Sequence, residues 1–371
     1  MFNIKNIVKF SIIDGVPYKP GKPIEKLERE LGIKNIAKLA SNENACGTPE
    51  AAKRAIVECL DKLFLYPDGE AYNFKAAVSK YHGVDYQTVF AGNGSDELLN
   101  IIMQAFVNPG DNIVSSQHSF VRYGQLANIA NGEFRQAHMT SDMRYDLEAI
   151  SGLVDSRTKI IVIANPNNPT GTIIYDKETR KFLDKIPENV IIIFDEAYAG
   201  FVEDAGYPDS LKLYRDYPEK LIVILRTFSK IFGLAGVRIG YGIANHEIVK
   251  YINIVRGPFN INTLAQAAGC ACFSALDHAE KSKNLCLNEK KYLYTEYDKL
   301  GVEYIPTEAN FILIKLDANH DGKKICDDLL KAGIIVRHMG SWGFSDNYIR
   351  VTIATHEQNV RFITELKHLL V

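Results

Sequence analysis

Three apolar runs recur along the middle of the chain, and each gives way to a residue capable of chemistry. KIIVIA (Lys159 to Ala164) enters NPNNPTG (Asn165 to Gly171), VIIIF (Val190 to Phe194) ends at Asp195 in DEAYAGF, and LIVIL (Leu221 to Leu225) passes through Arg226, Thr227, Phe228 and Ser229 to Lys230. Short β-branched runs of this kind read as buried strands. Asn168, Asp195 and Lys230 stand 27 and 35 residues apart (195 − 168 and 230 − 195), the rhythm of successive βα units in one mostly parallel sheet. All three would then meet along one sheet edge, and the carboxyl ends of strands in open α/β sheets are where ligands bind.

With 371 residues the chain exceeds one comfortable domain. The expected fold class is α/β, a large domain with a mostly parallel central sheet between helices plus a smaller α+β domain. Residues 1–40 hold Pro17, Tyr18, Pro20, Gly21 and Pro23 in a rigid extended arm ahead of a short charged helix, Ile24 to Leu31, and form an arm that joins the smaller domain. Residues 41–260 are assigned to the large domain. Residues 261–371 are assigned to a connecting helix and the small domain, because beyond Pro258 the pattern turns helical and then alternates short strand-like and helix-like pieces. VFAGNGSDELLN reads as strand, glycine loop and helix, with Ser95 and Asp96 opening a helix whose Leu98, Leu99, Ile102, Ala105 and Phe106 share a face. Such an end binds phosphate. Glu97 stands where a dinucleotide fingerprint would need its third glycine. HSFVRYG sets Phe120 and Tyr123 just past the strand Asn112 to Ser116.

An enclosed lysine loses its proton more easily than a solvated one, and a free amine attacks carbonyls. Arg238 lies eight residues beyond Lys230, past a turn punctuated by Gly233 and Gly236, and arginine is suited to gripping phosphate. Amine and phosphate clamp together point to an aldehyde cofactor that carries a phosphate, pyridoxal 5′-phosphate. Plainer readings stand beside these: a lysine after a strand is ordinarily solvated, an aspartate there often caps the next loop, and NPNNPTG is also a serviceable turn.

The balance of 43 basic against 45 acidic residues, net −2, calls for neither nucleic acid nor an anionic membrane. Cys46, Cys59, Cys270, Cys272, Cys286 and Cys326 form no CxxC pair and have no histidine at zinc spacing, so neither a metal site nor a disulfide framework is expected. A reducing cytoplasm fits this usage best. MFNIKNIVKF lacks a signal-like apolar run, and no 18-residue apolar stretch occurs, so a soluble, unexported protein is expected.

PYKPGKPIEKLERELG, KLASNEN, YPDG, GNGSDE, NPNNPTG, DEAY, SKIFGLAGVRIGY, GIIVR and NYIRVTIAT follow one another over nearly the whole chain. In this order they resemble the fold type I pyridoxal-phosphate aminotransferases. The arm PYKPGK…LERELG joined to LASNEN is similar to their histidinol-phosphate branch. The resemblance implies that Lys230 holds the cofactor covalently and then shuttles the proton between substrate Cα and the cofactor's C4′. It implies that Asp195 pairs with the pyridine nitrogen, that Asn168 and Tyr198 hydrogen-bond the ring's phenolic oxygen, and that Phe120 stacks on the ring. The cofactor phosphate would be held by the Ser95 and Asp96 helix end, Ser229, Arg238 and a Tyr66 reaching across from a second subunit, which makes a homodimer with shared sites the expected assembly. Arg350 would take glutamate's α-carboxylate or the histidinol phosphate group, Arg337 would make a second anion contact, and Tyr18 and Asn44 would complete the substrate shell. Ala45 and Cys46 depart from the family, which commonly has proline and a larger aliphatic there. The implied reaction moves an amino group between L-histidinol phosphate with imidazole acetol phosphate and glutamate with 2-oxoglutarate, in histidine biosynthesis. An aromatic amino acid aminotransferase of the same fold shares every cofactor residue, and a threonine-phosphate decarboxylase would release CO2 without 2-oxoglutarate.

Overall fold

The computed structural model describes residues 4–18, 21 and 23–370; Lys19, Pro20 and Lys22 of the expected arm lie outside the described residues. The larger of its sheets has seven strands in the spatial order Val89–Gly92, Gly240–Ile243, Leu221–Thr227, Ile191–Asp195, Thr158–Ala164, Asn112–Ser116, Glu133–Ala137. Gly240–Ile243 runs antiparallel to both neighbours, and every other pairing is parallel. The three apolar runs therefore lie side by side at the centre. Ile160 to Ile163, Ile191 to Phe194 and Ile222 to Leu225 are all buried, as strands covered by helices on both faces must be.

A second, four-stranded sheet is antiparallel throughout, in the order Arg337–His338, Tyr348–Thr352, Phe311–Lys315, Glu303–Ile305. Leu293 and Tyr297 of the helix Leu276–Leu300, Ile325 and Leu329 of Gly322–Lys331, and Phe362 and Leu366 of His356–Leu369 pack with Ile312, Ile314, Ile349 and Val351 in a core of their own. Register sets Arg337 and Arg350 opposite each other on adjacent strands, so two guanidinium groups start from one spot on the sheet.

The polypeptide links the two cores twice. Ala37–Lys38 pairs in parallel with Ile334–Ile335, and Leu39 both donates to the Ile335 carbonyl (2.7 Å) and accepts from the Thr352 amide (2.8 Å) before the chain runs on to Asn42. Ala265, Ala268 and Cys272 of the helix Thr263–Cys272 still belong to the larger core; it is the next helix, Leu276–Leu300, that carries Cys286, Leu293 and Tyr297 into the smaller one. Between the cores, at the carboxyl ends of the parallel strands, lies a cavity.

Candidate active site

The cavity has a volume of about 270 Å³, and its walls bring together Asn168, Asp195, Tyr198 and Lys230 from distant parts of the sequence. Its floor follows from strand register. Asp195 pairs with Ala164 on one side and Leu225 on the other, so it ends its strand level with the exits toward Asn168 and Lys230. Successive side chains on a strand point to opposite faces. The next carboxylate, Glu196, accordingly turns away and binds Arg226 at 2.8 Å, leaving Asp195 to face the cavity.

Asp195 is buried, and one of its oxygens accepts a hydrogen bond from the phenol of Tyr123 at 2.8 Å. Burial pushes its carboxyl up to about 6, and the Tyr123 hydrogen bond only partly opposes the rise. The Lys230 amine donates to the Ser41 carbonyl at 2.9 Å and stands 5.6 Å from the Tyr198 ring centroid. Burial, then the nearby Arg350 and Arg238 charges, lower this lysine to about 7, so a large share of it is a free amine near neutral pH. Asn168 gives its carbonyl oxygen to Arg350, which leaves its amide NH2 as the donor available to the cavity.

At one end of the cavity the helix Ser95–Phe106 begins. Gly94 precedes it with φ +83°, and a Cβ there would lie 2.5 Å from an Arg238 nitrogen. A Cβ on Gly240 would come within 2.8 Å of the Ser95 amide nitrogen. Two glycines thus let a helix N-terminus, a strand and an arginine converge. The Asp96 carboxylate is occupied by Arg122 (2.7 Å), Arg238 reaches the Ser229 hydroxyl (3.4 Å), and Ser229 is buried beside Thr227. Helix-end amides, hydroxyls and a guanidinium make a donor set for phosphate.

Arg350 and Arg337, from the smaller sheet, also line the cavity. Arg350 is buried, with Phe311 and Trp342 rings 5.2 and 5.6 Å from its guanidinium carbon, and burial lowers it to about 10. Its Nη2 donates to the Ala40 carbonyl at 2.8 Å, while its Nε is a buried donor with no partner among the described residues. Buried donors left in that state favour an anion. Tyr18 lies 6.0 Å from the Arg337 guanidinium and lines the same cavity, as does Phe120, whose ring meets Tyr123 edge-on at 5.7 Å.

One expected contact is placed differently. Asn44 is not on the cavity wall: its NH2 donates to the carbonyls of Lys230 (2.9 Å) and Ile231 (2.8 Å), and its oxygen takes the Cys46 amide. An amide spent on backbone holds the lysine's loop and has little left for substrate. Tyr66, expected to serve a second subunit, lies outside this chain's own cavity, stacked on Phe259 with ring centroids 4.8 Å apart. Conversely, Tyr123, Asn42 and Trp342 line the cavity without having been given roles by sequence. Asn42 belongs to the same LASNEN stretch as Asn44, which is the signal that could have found it.

The residues fit pyridoxal 5′-phosphate by the chemistry of their donors: a buried carboxylate for a protonated ring nitrogen, an amine of lowered pKa for an aldehyde, and a phosphate cradle at one end. Three arginines, Arg238, Arg337 and Arg350, outnumber the carboxylates Asp96 and Asp195. The surplus suits ligands that carry more than one negative charge.

Residues 34–366 match the family model described as aminotransferase class I and II. The histidinol-phosphate aminotransferase of Moorella thermoacetica is 42% identical over 97% of this chain and 92% of its own length. Histidinol-phosphate aminotransferase 2 of Carboxydothermus hydrogenoformans is 43% identical over 95% of this chain and 96% of its own. Among solved structures, the histidinol-phosphate aminotransferase of Sinorhizobium meliloti in complex with pyridoxal 5′-phosphate superposes with a TM-score of 0.87, covering 98% of this chain and 97% of that one at 24% identity.

Proposed function

The chain belongs to the class I and II aminotransferases, and from that premise we propose that it transfers the amino group of L-histidinol phosphate to 2-oxoglutarate, yielding imidazole acetol phosphate and glutamate in histidine biosynthesis. The observation that carries this reading is the single cavity whose wall holds Lys230, Asp195, Asn168 and Tyr198 together with Arg238, Arg337 and Arg350. Full-length relatives that bear the name histidinol-phosphate aminotransferase support the choice of substrate.

Pyridoxal 5′-phosphate, when bound, supplies an aldehyde and a ring that withdraws electrons from the substrate's Cα. The protein's own groups do the rest. Lys230 would hold the cofactor through its amine and would serve as the base that takes and returns the Cα proton; a pKa of about 7 matches that task near neutral pH. Asp195, with one oxygen held by Tyr123, would keep the ring nitrogen protonated. Asn168 and Tyr198 would hydrogen-bond the ring's phenolic oxygen, and Phe120 would cover its face. The Ser95 and Asp96 helix end, Ser229 and Arg238 would hold the cofactor phosphate. Arg350, with Arg337 and Tyr18, receives the phosphate of one substrate and the carboxylate of the other, so both half-reactions use one anion site and a ping-pong order follows.

The same reading divides the chain into an arm (1–40), a cofactor-binding unit (41–260) and a connecting helix with a small domain (261–371). It makes the protein a cytoplasmic homodimer in which Tyr66 joins the partner's phosphate site. The exposed apolar side chains Val57, Leu60, Leu63, Phe64 and Leu65 beside Tyr66 support that assembly. Among the described residues no helix is long and apolar enough to cross a membrane.

Absorption spectroscopy tests the reading. Protein loaded with the cofactor is expected to show a visible band that histidinol phosphate bleaches and 2-oxoglutarate restores. Faster bleaching by phenylalanine would reassign the substrate to aromatic amino acids, and CO2 release without 2-oxoglutarate would reassign the reaction to decarboxylation.

A further inference from the structure

We propose that Asn42 is a positioning residue that turns the phenolic proton of Tyr198 into the cavity, toward the phenolic oxygen of the bound cofactor. The inference rests on the cofactor reading above and adds to it a residue outside that set.

The hydrogen bonds around Asn42 run in one direction. Its backbone N–H donates to the Thr352 hydroxyl oxygen at 2.9 Å. The Thr352 hydroxyl gives its own proton to Asn42 Oδ1 at 3.1 Å. The oxygen end of the amide faces Thr352 in this arrangement. Asn42 Nδ2 is then the end that meets Tyr198, and it donates to the phenol oxygen at 2.9 Å. A phenol that accepts at this position must give its own proton to another acceptor. No such acceptor occurs for Tyr198 among the described residues, and its side chain lines the cavity.

The device is built into buried structure. Asn42 is buried, and its carbonyl accepts from Asn310 Nδ2 at 3.1 Å. Its backbone is left-handed, φ +55°, a conformation that asparagine and aspartate tolerate better than other side-chain-bearing residues. Thr352 is two residues from Arg350 on the strand Tyr348–Thr352, so the strand that holds the substrate anion also orients the amide. Lys230, Arg350, Asp195 and Tyr18 surround the same phenol and are unchanged by the substitutions below.

A proton donated to the cofactor's phenolic oxygen stabilises negative charge there and so favours the deprotonated chromophore. The test is the pH midpoint of the visible absorption of the holoenzyme without substrate. Asn42→Asp keeps shape and backbone preference but presents an acceptor, which draws the Tyr198 proton out of the cavity. The midpoint is expected to rise by about 1–2 pH units, the size of one hydrogen bond to a charged form. In a Tyr198→Phe background the same substitution is expected to shift it by less than half as much, because the residue through which Asn42 acts can no longer donate. Thr352→Val, a neutral change that frees the amide to turn over, is expected to move the midpoint in the same direction, and only when Tyr198 is present. An equal Asn42→Asp shift in both backgrounds, or no shift in either, overturns the proposal, as does a Thr352→Val shift that persists without the phenol. If wild-type protein forms no visible chromophore with pyridoxal 5′-phosphate, the cofactor reading itself falls and this inference with it.

Discussion

Asp195 and Lys230 carry opposite liabilities, and each predicts a measurement. Burial holds the Asp195 carboxyl near 6 rather than 3.8. Between those values the folded protein keeps a proton that the unfolded chain has lost, so stability without cofactor falls as pH rises from about 4 through 6. Above that window the ionised, buried carboxylate costs the fold on the order of 2–3 kcal/mol. Apo-Asp195→Asn is therefore expected to be more stable than apo wild type at pH 8 by about that amount, with the gap closing as pH approaches 4, in urea titrations at a series of pH values. A constant gap across the series would rule out the titration as its cause. The same variant is expected to lose transamination, because a neutral amide cannot hold the ring nitrogen protonated. Lys230→Ala is expected to bind pyridoxal 5′-phosphate without the covalent visible band and to lose about 10²–10⁴-fold in kcat, the usual contribution of a positioned acid–base group. Turnover that survived this substitution would remove Lys230 from the chemistry.

The helix Ser95–Phe106 works as an element only because Gly240 lets its first turn approach the sheet. A methyl group at Gly240 would meet the Ser95 nitrogen at 2.8 Å and the Gly94 carbonyl carbon at 2.9 Å, both backbone atoms with little freedom to yield. Gly240→Ala is expected to destabilise the protein by about 1–3 kcal/mol and to push the helix end away from the phosphate site. Cofactor affinity, from fluorescence titration, should weaken together with a fall in Tm; a lower Tm with unchanged affinity would mean that the helix end does not hold the phosphate. Elements of this kind were legible in the sequence because buried parallel strands write themselves as unbroken apolar runs, so the three central strands and their polar exits could be read directly. The edge strand Glu133–Ala137 could not: it is EFRQA, half exposed, with Arg135 bound to Glu133 and Asp155 rather than to a core. Partners set by tertiary contact were equally silent. Nothing in HSFVRYG says that the Tyr123 phenol will reach Asp195 across 72 positions, and LASNEN offers Asn42 and Asn44 alike without deciding which of them faces the cavity.

At the scale of the whole molecule, Tyr66 poses the sharpest question. Its side chain is 83% exposed and stacks on Phe259, beside a Phe64 that is also 83% exposed, and none of the three lines this chain's own cavity. Exposed apolar side chains clustered in this way support the proposed dimer interface. In a two-fold dimer the same patch serves both subunits, and a side chain that leaves one subunit's surface can complete the other's site. Phe64→Asp is accordingly expected to shift sedimentation toward the monomer and to lower activity in parallel. The sharing itself is separable from assembly. Lys230→Ala lacks the amine and Tyr66→Ala lacks the contact it is proposed to lend, so each homodimer should be impaired at cofactor concentrations that saturate wild type. In a heterodimer of the two, one site combines two damaged halves and the other combines Lys230 from one chain with Tyr66 from its partner. Random reassembly of an equal mixture makes half the dimers mixed, each with one intact site, so activity should recover to about one quarter of wild type. Recovery no greater than the mean of the two parents would mean that each chain builds its phosphate site alone, and that the exposed tyrosine serves packing between subunits and not catalysis.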